Sequence, residues 1–429
     1  MSDLKRHMGL FQLTMYGVGM ILGAGIYVLI GQAAGLAGGT IWISVGLGVV
    51  LALFSGLSYA ELSSIFPKSA AEYVFVKKSF KNNLLAFIVG WLTAITSVIS
   101  AAVVSLGFGG YLANFVDIPI VVSAIILLGL LSLVNFLGIK ESAWTNTVFT
   151  IIEASGLILI IVIGFTYADP QPVDYFESPT GLTGILLAFT LIFFAFIGFE
   201  DMANVAEEVK NPKRTLPRAI ILSVLITGII YVLVSFASIR VVDWHDLGTS
   251  IAPMADVADT VLGAKGHVIL SGIALFATVN TVLIILVAGA RMFYGMAREQ
   301  SLPTFLSIVH SKTKTPWISV IVVMLLAIAF TLIGDIAVIA QITVFATLIT
   351  FAMINLSVII LRYTETNIER PYKIPLNIGK FPIFPLFGLS ITVYMLFQFE
   401  LDVLLVGAIV LIVGVILYFV LKNKVIKSK

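Results

Sequence analysis

Long apolar runs alternate with short polar stretches along almost the whole chain. A helix needs about 20 apolar residues to cross a hydrocarbon layer about 30 Å thick, and the runs have this length. The pattern therefore predicts an all-α polytopic membrane protein with twelve transmembrane helices, spans 1 to 12. The approximate ranges of these spans are 11–36, 41–65, 84–115, 119–138, 144–166, 182–204, 216–239, 268–296, 317–334, 336–361, 381–398 and 402–421.

The basic residues follow the topology that twelve spans require. All but two of the 25 lysines and arginines fall on the side of the termini, and only Arg240 and Lys265 fall on the other side. Cytoplasmic loops of membrane proteins carry an excess of Lys and Arg. We therefore predict a protein of the cell membrane with both termini in the cytoplasm. Glu61, near the inner end of span 2, is predicted to pair with a Lys or Arg of that side.

Composition removes several classes of function. Hydrophobic residues make up 59% of the chain and charged residues 11%, which is too apolar for a soluble protein. Cysteine is absent, and the four histidines lie in connections or at span ends, so the spans lack the usual ligands of haem and zinc. We expect one transmembrane domain over 1–429, without catalytic activity, metal or other cofactor. The net charge of +2 gives no reason to expect a nucleic-acid partner.

Span 1 contains a glycine-rich stretch, GVGMILGAGIYVLIG, at residues 17–31. Each glycine inside a helix costs about 0.5–1 kcal/mol relative to alanine, so the cluster needs a physical reason. One interpretation is close helix packing, because Gly19 and Gly23 form a GxxxG pair. The other is a break in the helix from Gly23 to Gly25, near the middle of the span.

Span 6 favours the helix break. Its stretch FFAFIGFED places Gly198 in an aromatic run, followed by Glu200 and Asp201. Spans 1 and 6 lie five apart and cross in opposite directions, as the first helices of a five-plus-five inverted repeat do. We predict repeats over 11–166 and 182–361, two additional helices over 381–421, and breaks in spans 1 and 6 that meet. Freed N–H groups suit a carboxylate and freed carbonyls suit an ammonium group, so the meeting point suits a zwitterion.

The chain resembles the amino acid–polyamine–organocation permeases in five stretches that occur in the order of that family. They are GVGMILGAGIYVLIG, SYAELSSIFPKSAAEYVFV, FFAFIGFEDMANVAEEVKNPKRTLPRAI, RMFYGMAREQSLP and RPYKIP. The resemblance implies a LeuT-like fold, in which two five-helix inverted repeats have discontinuous helices 1 and 6. It also implies transport of amino acids or related amines by alternating access across the lipid bilayer.

The resemblance further implies where a substrate binds. The substrate carboxylate is expected at the backbone of the span 1 break, and the amino group at carbonyls of the span 6 break. Phe194 is expected to act as an aromatic gate. The implied substrate-binding residues are Gly23, Ala24, Gly25, Ile26, Phe194, Ala195, Phe196, Ile197 and Gly198. Hydroxyl side chains in spans 3, 8 and 10 could line the same cavity.

The substrate is barely specified by the sequence. The aromatic wall around Phe194, Phe196 and Phe199 favours neutral amino acids. Exchange of basic amino acids or polyamines, sodium-coupled amino acid symport and a channel remain alternatives. Oligomeric state is not predicted.

Glu153 is the only acid in span 5, where many members of the family carry a lysine. The amine of that lysine takes the place that sodium occupies in sodium-coupled relatives. Glu153 lies close to the middle of the membrane in this span, and placing an acid at that depth is costly. Three interpretations stay open: a proton site, a sodium ligand with span 1 carbonyls and span 8 hydroxyls, or a structural acid. Glu200, two residues beyond Gly198, is the second candidate for ion coupling. The predicted coupling ion is H⁺, with Na⁺ as the alternative.

Overall fold

The computed structural model describes residues 8–68, 71–137, 143–166, 173–298 and 300–427, and most of them are helical. A two-stranded antiparallel ribbon joins Asn377–Ile378 to Phe381–Pro382. The helices are α1 (Leu10–Leu22), α2 (Ala24–Ala37), α3 (Ile41–Ile65), α4 (Ala71–Phe80), α5 (Asn83–Leu112), α6 (Ile120–Leu137), α7 (Ala143–Thr166), α8 (Leu182–Ile192), α9 (Asp201–Asn204), α10 (Pro212–Val241), α11 (Trp244–Thr249), α12 (Pro253–Leu262), α13 (Ala264–Arg298), α14 (Trp317–Thr331), α15 (Ile336–Thr364), α16 (Ile383–Leu396) and α17 (Leu401–Lys427).

Apolar helices lie at the positions of the predicted spans. Within the described residues, nine helical stretches are long and apolar enough to cross a membrane, and the first of them, Leu10–Ile65, contains α1, α2 and α3. The two shorter apolar helices are α14 and α16. The prediction of an all-α polytopic membrane protein is confirmed. The count of twelve spans and the inverted repeat stay predictions.

The outer helices expose apolar side chains in stripes. On α6, Ile126, Leu130 and Leu133 are each more than half exposed and follow the spacing of one helix face. Exposed leucines and isoleucines continue in the same way along α17. By contrast, α5 is buried along most of its length, where it packs against α4, α6, α13, α14, α15 and α17. Such stripes suit a hydrocarbon solvent, because exposing them to water would be unfavourable.

Two helices are interrupted at glycines. Gly23 separates α1 from α2. Its ψ of −166° lies far from the value of an α-helix, so the helix is interrupted at this residue. The second interruption begins where α8 ends at Ile192, continues through a 3₁₀ turn over Phe193–Phe196 and ends where α9 begins. Gly198 in this segment has a φ of +132°, in the region that glycine tolerates and other residues rarely adopt. The predicted breaks in spans 1 and 6 are therefore present. In span 1 the break is confined to Gly23, because Ala24 and Gly25 already belong to α2.

A buried ion pair joins α3 to α15. Arg362 donates from Nε to Oε1 of Glu61 at 2.7 Å and from Nη2 to Oε2 at 2.6 Å. The backbone N–H of Ile374 donates to Glu61 Oε2 at 2.9 Å, and both charged side chains are less than 5% exposed. Bidentate pairing of this kind fixes geometry as well as charge. The prediction that Glu61 pairs with an arginine or lysine is confirmed.

We predict that Glu61→Gln lowers the free energy of unfolding by about 3–5 kcal/mol, because it leaves the buried Arg362 without its counter-charge. Unfolding of the purified protein in mixed detergent micelles measures the change. Glu365→Gln is the matched control, because Glu365 pairs with Lys81 at 3.2 Å where both side chains are exposed. That surface pair should contribute no more than about 1 kcal/mol. Equal losses in the two variants would contradict the assignment.

Candidate functional site

The two helix breaks are in direct contact. A Cβ added to Gly25 would lie 2.7 Å from the Cα of Ala195, and one added to Gly198 would lie 2.8 Å from the carbonyl oxygen of Met20. Real Cβ atoms do not approach other heavy atoms this closely, so only glycine permits the contact. The prediction that the breaks in spans 1 and 6 meet is therefore confirmed by their geometry.

A cavity opens where the breaks meet, and α3, α4, α5, α13 and α15 complete its wall. Hydroxyl side chains form much of the polar lining, as the sequence predicted for spans 3, 8 and 10. They are Thr93, Thr96, Ser97, Ser100, Thr281, Thr347 and Thr350. Several of these hydroxyls donate to carbonyls of their own helix, for example Thr96 to Leu92 at 2.8 Å. Their oxygen atoms keep a free lone pair, so such a wall can still accept hydrogen bonds from a guest.

The start of α2 presents backbone N–H groups at the break. The N–H of Ala24 donates to Oγ1 of Thr281 at 3.3 Å, so α13 caps one of them. The N–H groups of the first turn have no acceptor within their own helix, and those of Gly25 and Ile26 belong to this turn. A helix N-terminus with such N–H groups attracts an anion.

Tyr231 of α10 bridges the two breaks. Its buried hydroxyl lies within hydrogen-bond distance of the carbonyl of Ile21, at the end of α1. It also lies 3.1 Å from the carbonyl of Ala195, in the 3₁₀ turn. The single hydroxyl proton can satisfy one of these carbonyls at a time. Sequence reasoning missed this residue, because a lone tyrosine in an apolar span carries no signal of its distant partners.

The structure places seven of the nine predicted substrate-binding residues at the cavity wall. These seven are Gly23, Ala24, Gly25, Phe194, Ala195, Ile197 and Gly198. The side chains of Ile26 and Phe196 are buried away from the cavity lining. Phe196 packs edge-on against Tyr231, with ring centroids 5.1 Å apart. Phe194, which is predicted to act as a gate, lines the cavity and is 5% exposed.

One end of the cavity is acidic. Glu200, Asp201 and Glu72 all line it, and sequence reasoning had singled out only Glu200 for coupling. The N–H of Gly198 donates to Glu200 Oε2 at 2.9 Å, so this acid also supports the break. Burial raises the pKa of Glu72, in the connecting helix α4, from 4.5 to about 7, and the nearby Asp201 carboxyl adds to the rise. Like charges that share a buried site favour proton uptake.

Asn204 holds two of these acids together. Its Nδ2 lies 3.4 Å from Glu72 Oε2 and 3.4 Å from Asp201 Oδ1, and its Oδ1 accepts from the N–H of Ala71 at 2.9 Å. Asn204 thereby links α9 to the start of α4. Within the described parts of the chain, no group of three His, Cys, Asp or Glu residues is arranged to hold a metal ion.

Glu153 of α7 lies outside the cavity lining and contacts α13. Asn280 donates from Nδ2 to Glu153 Oε1 at 2.9 Å, and Tyr27 of α2 donates from its hydroxyl to the Glu153 backbone carbonyl at 2.6 Å. The carboxyl is fully buried, and Oε2 has no hydrogen-bond donor among the described residues. The same holds for Oδ1 of Asn280. Two buried acceptors therefore lack a donor beside the break.

The chain is similar to known transport proteins. The family model described as "Amino acid permease" matches residues 8–421. The chain is 29% identical to the branched-chain amino acid permease BcaP of Bacillus subtilis, over 99% of this chain and 94% of that protein. It is 27% identical to the methylthioribose transporter of the same organism, with coverage of 99% and 95%. It is also 29% identical to human cationic amino acid transporter 4, over 85% of this chain and 61% of that protein.

We predict that Tyr231→Phe lowers the free energy of unfolding by about 1–3 kcal/mol, because it removes the donor shared by two buried carbonyls. Chemical unfolding in detergent measures the loss. Tyr363→Phe is the matched control, because that side chain is 55% exposed, and it should leave stability within about 0.5 kcal/mol of the parent. An unchanged Tyr231→Phe protein would show that the bridge contributes nothing.

Proposed function

Because this chain belongs to the amino acid permease family, we propose that it is a secondary active transporter of neutral amino acids, coupled to protons and working by alternating access. Membership of this family, with many apolar helices, indicates an integral membrane transporter rather than an enzyme. The observation that carries the proposal is the contact between two broken helices at the wall of a cavity.

The substrate backbone binds at the two breaks. Its carboxylate accepts hydrogen bonds from the N–H groups of Gly25 and Ile26 at the positive end of α2. Its ammonium group donates to carbonyls of the 3₁₀ turn and the residues after it, from Phe194 to Ile197. The role of Ile26 is thus confined to its backbone, which fits the burial of its side chain away from the cavity. Non-helical backbone in a membrane is tolerated where it lines such a cavity.

A neutral side chain suits the rest of the wall. Apolar lining comes from Met20, Ile21, Val104, Ile284 and Phe351, and the hydroxyls of α5 and α15 supply adaptable polar contacts. Phe194 covers the substrate as the gate. This combination of apolar surface with a few polar groups is typical of small-molecule sites.

A cationic amino acid is the second candidate substrate. The observation that favours it is the acidic end of the cavity, where Glu72, Glu200 and Asp201 line the wall. A side-chain ammonium or guanidinium group could pair with an ionised acid there. The relative named as a cationic amino acid transporter adds support.

We propose that Glu153 carries the coupling proton. When Glu153 is ionised, its Oε2 and Asn280 Oδ1 are both acceptors. A proton on Oε2 makes the carboxyl a donor and gives Asn280 an acceptor role that it otherwise cannot fill. The Tyr27 hydroxyl connects α2 to the backbone of Glu153 by a hydrogen bond. A change in the protonation of the Glu153 carboxyl can therefore alter the position of α2 at the break. Glu200, which supports the N–H of Gly198, is the second site where a proton would act on a break.

Sodium is the alternative coupling ion. A cation beside Glu153 Oε2 and Asn280 Oδ1 would also satisfy two acceptors that lack a donor, and oxygen ligands suit a hard cation. The two ions predict different driving gradients, so transport assays can separate them.

Uptake into liposomes that contain the purified chain tests the proposal. With the membrane potential clamped at zero, an outside pH lower by one unit should drive about tenfold accumulation of a neutral amino acid, the limit for one proton. Accumulation driven only by sodium would assign the alternative ion, and preference for lysine over leucine would assign the cationic substrate. Absence of saturable uptake for every amine in the panel would contradict transport. A steady ion current without substrate would indicate a channel.

We predict that Glu153→Gln retains exchange of labelled for unlabelled substrate but loses gradient-driven accumulation, so that the inside-to-outside ratio falls from about ten to about one. The glutamine keeps the acceptor for Asn280 but cannot exchange a proton. Glu400→Gln, which changes an exposed acid beside α17, is the control and should leave accumulation unchanged. Undiminished accumulation by Glu153→Gln would exclude Glu153 as the coupling site.

A further inference from the structure

A basic pocket lies outside the transport cavity, after the end of α15. Four cationic residues line it: Arg362, Arg370, Lys373 and Lys380. It has a volume of about 250 Å³, several times the ~30 Å³ of a water molecule in the liquid. The pocket lies on the face that the distribution of Lys and Arg predicts to be cytoplasmic.

The acids near the pocket already have basic partners. Glu61 is behind the pocket wall and binds Arg362 through Nε and Nη2. Glu365 pairs with Lys81 and Glu369 pairs with Lys213, each at 3.2 Å. Only the carboxylate of Glu61, among the described ion pairs, neutralises charge of the four cationic lining residues. The pocket therefore keeps an excess of positive charge.

The guanidinium group of Arg370 is held in place by backbone carbonyls. Its Nη2 donates to Leu361 at 2.8 Å and to Glu365 at 3.0 Å, and its Nη1 donates to Ile368 at 3.1 Å. Its Nε lies 3.5 Å from Glu61 Oε1 and makes no hydrogen bond within the described structure. The pKa of Arg370 is lowered, chiefly by burial and also by the neighbouring Arg362, and Glu61 offsets part of this effect. A fixed arginine loses little side-chain entropy when an anion arrives.

We propose that this pocket binds a phosphate group. The two arginines donate to Glu61 and to backbone carbonyls and supply fixed positive charge, and the two exposed lysines supply mobile ammonium donors for the oxyanion. The phosphate can belong to the headgroup of an anionic phospholipid in the adjacent leaflet or to a free phosphate ion. Basic pockets between helices at the cytoplasmic surface bind lipid headgroups in this way. This site is independent of the proposed substrate and coupling ion.

The test compares lipid binding by the purified full-length chain and by Lys373→Gln/Lys380→Gln. Both lysines are exposed, and among the described contacts neither pairs with Glu61, so the fold should persist. Native mass spectrometry measures retained phosphatidylglycerol against phosphatidylcholine. The double variant should bind phosphatidylglycerol about 30-fold more weakly, the equivalent of about 1 kcal/mol for each lysine.

Lys312→Gln/Lys314→Gln is the matched control, because it removes the same charge from exposed residues of another loop on that face. It should change phosphatidylglycerol binding less than about twofold. A parallel arm adds inorganic phosphate to the detergent-solubilised protein and follows the thermal unfolding midpoint.

Each combination of results decides the proposal. Loss of phosphatidylglycerol binding in the pocket variant alone supports a lipid headgroup as the source. A phosphate-induced rise of the unfolding midpoint that the pocket variant loses supports the free ion. Equal losses in the pocket and control variants would overturn the proposal. So would a parent protein that binds phosphatidylglycerol no better than phosphatidylcholine and whose unfolding midpoint is the same in phosphate as in buffer. Thermal unfolding in phosphatidylcholine alone verifies that both variants are folded.

Discussion

Backbone polar groups that a broken helix leaves unpaired must be satisfied inside the membrane, and the central architecture follows from this constraint. Tyr231 places one hydroxyl at both breaks, beside the carbonyls of Ile21 and Ala195. Thr281 caps the N–H of Ala24, and Glu200 accepts from the N–H of Gly198. Each of these groups comes from a different position in the chain. The N–H groups that remain at the start of α2 are the groups that we propose to bind the substrate carboxylate.

The same constraint explains how the protein distributes its acids. Glu61 is fully paired with Arg362 and makes a rigid joint between α3 and α15. Glu153 and the acids at the end of the cavity have amide and backbone partners but no basic partner among the described contacts. In our proposal, the acid with a basic partner has a structural role, and the acids without one serve transport.

Much of the fold and part of the site could be predicted from sequence. Apolar run lengths located the helices, and the glycines at Gly23 and Gly198 located the breaks, because glycine is needed where the chain leaves the helix. Tyr231 and Asn280 were not recognised as partners, since Tyr231 and Ile21 are 210 positions apart and Glu153 and Asn280 are 127 apart. Phe196 was placed at the substrate by its position in the motif, yet the 3₁₀ turn directs its ring towards Tyr231. The local sequence pattern therefore predicts where a helix breaks, but it does not predict the direction in which the side chains after the break point.

Protection of a single cysteine by substrate measures most directly whether the meeting point of the breaks is the binding site. The chain contains no cysteine, so Ser97→Cys introduces one reactive group at the cavity wall, and Thr180→Cys places one on an exposed connection. A saturating amino acid that the protein transports should slow thiol labelling of Ser97→Cys several-fold and leave Thr180→Cys unchanged. Labelling of Ser97→Cys at the same rate with and without that amino acid would contradict the account.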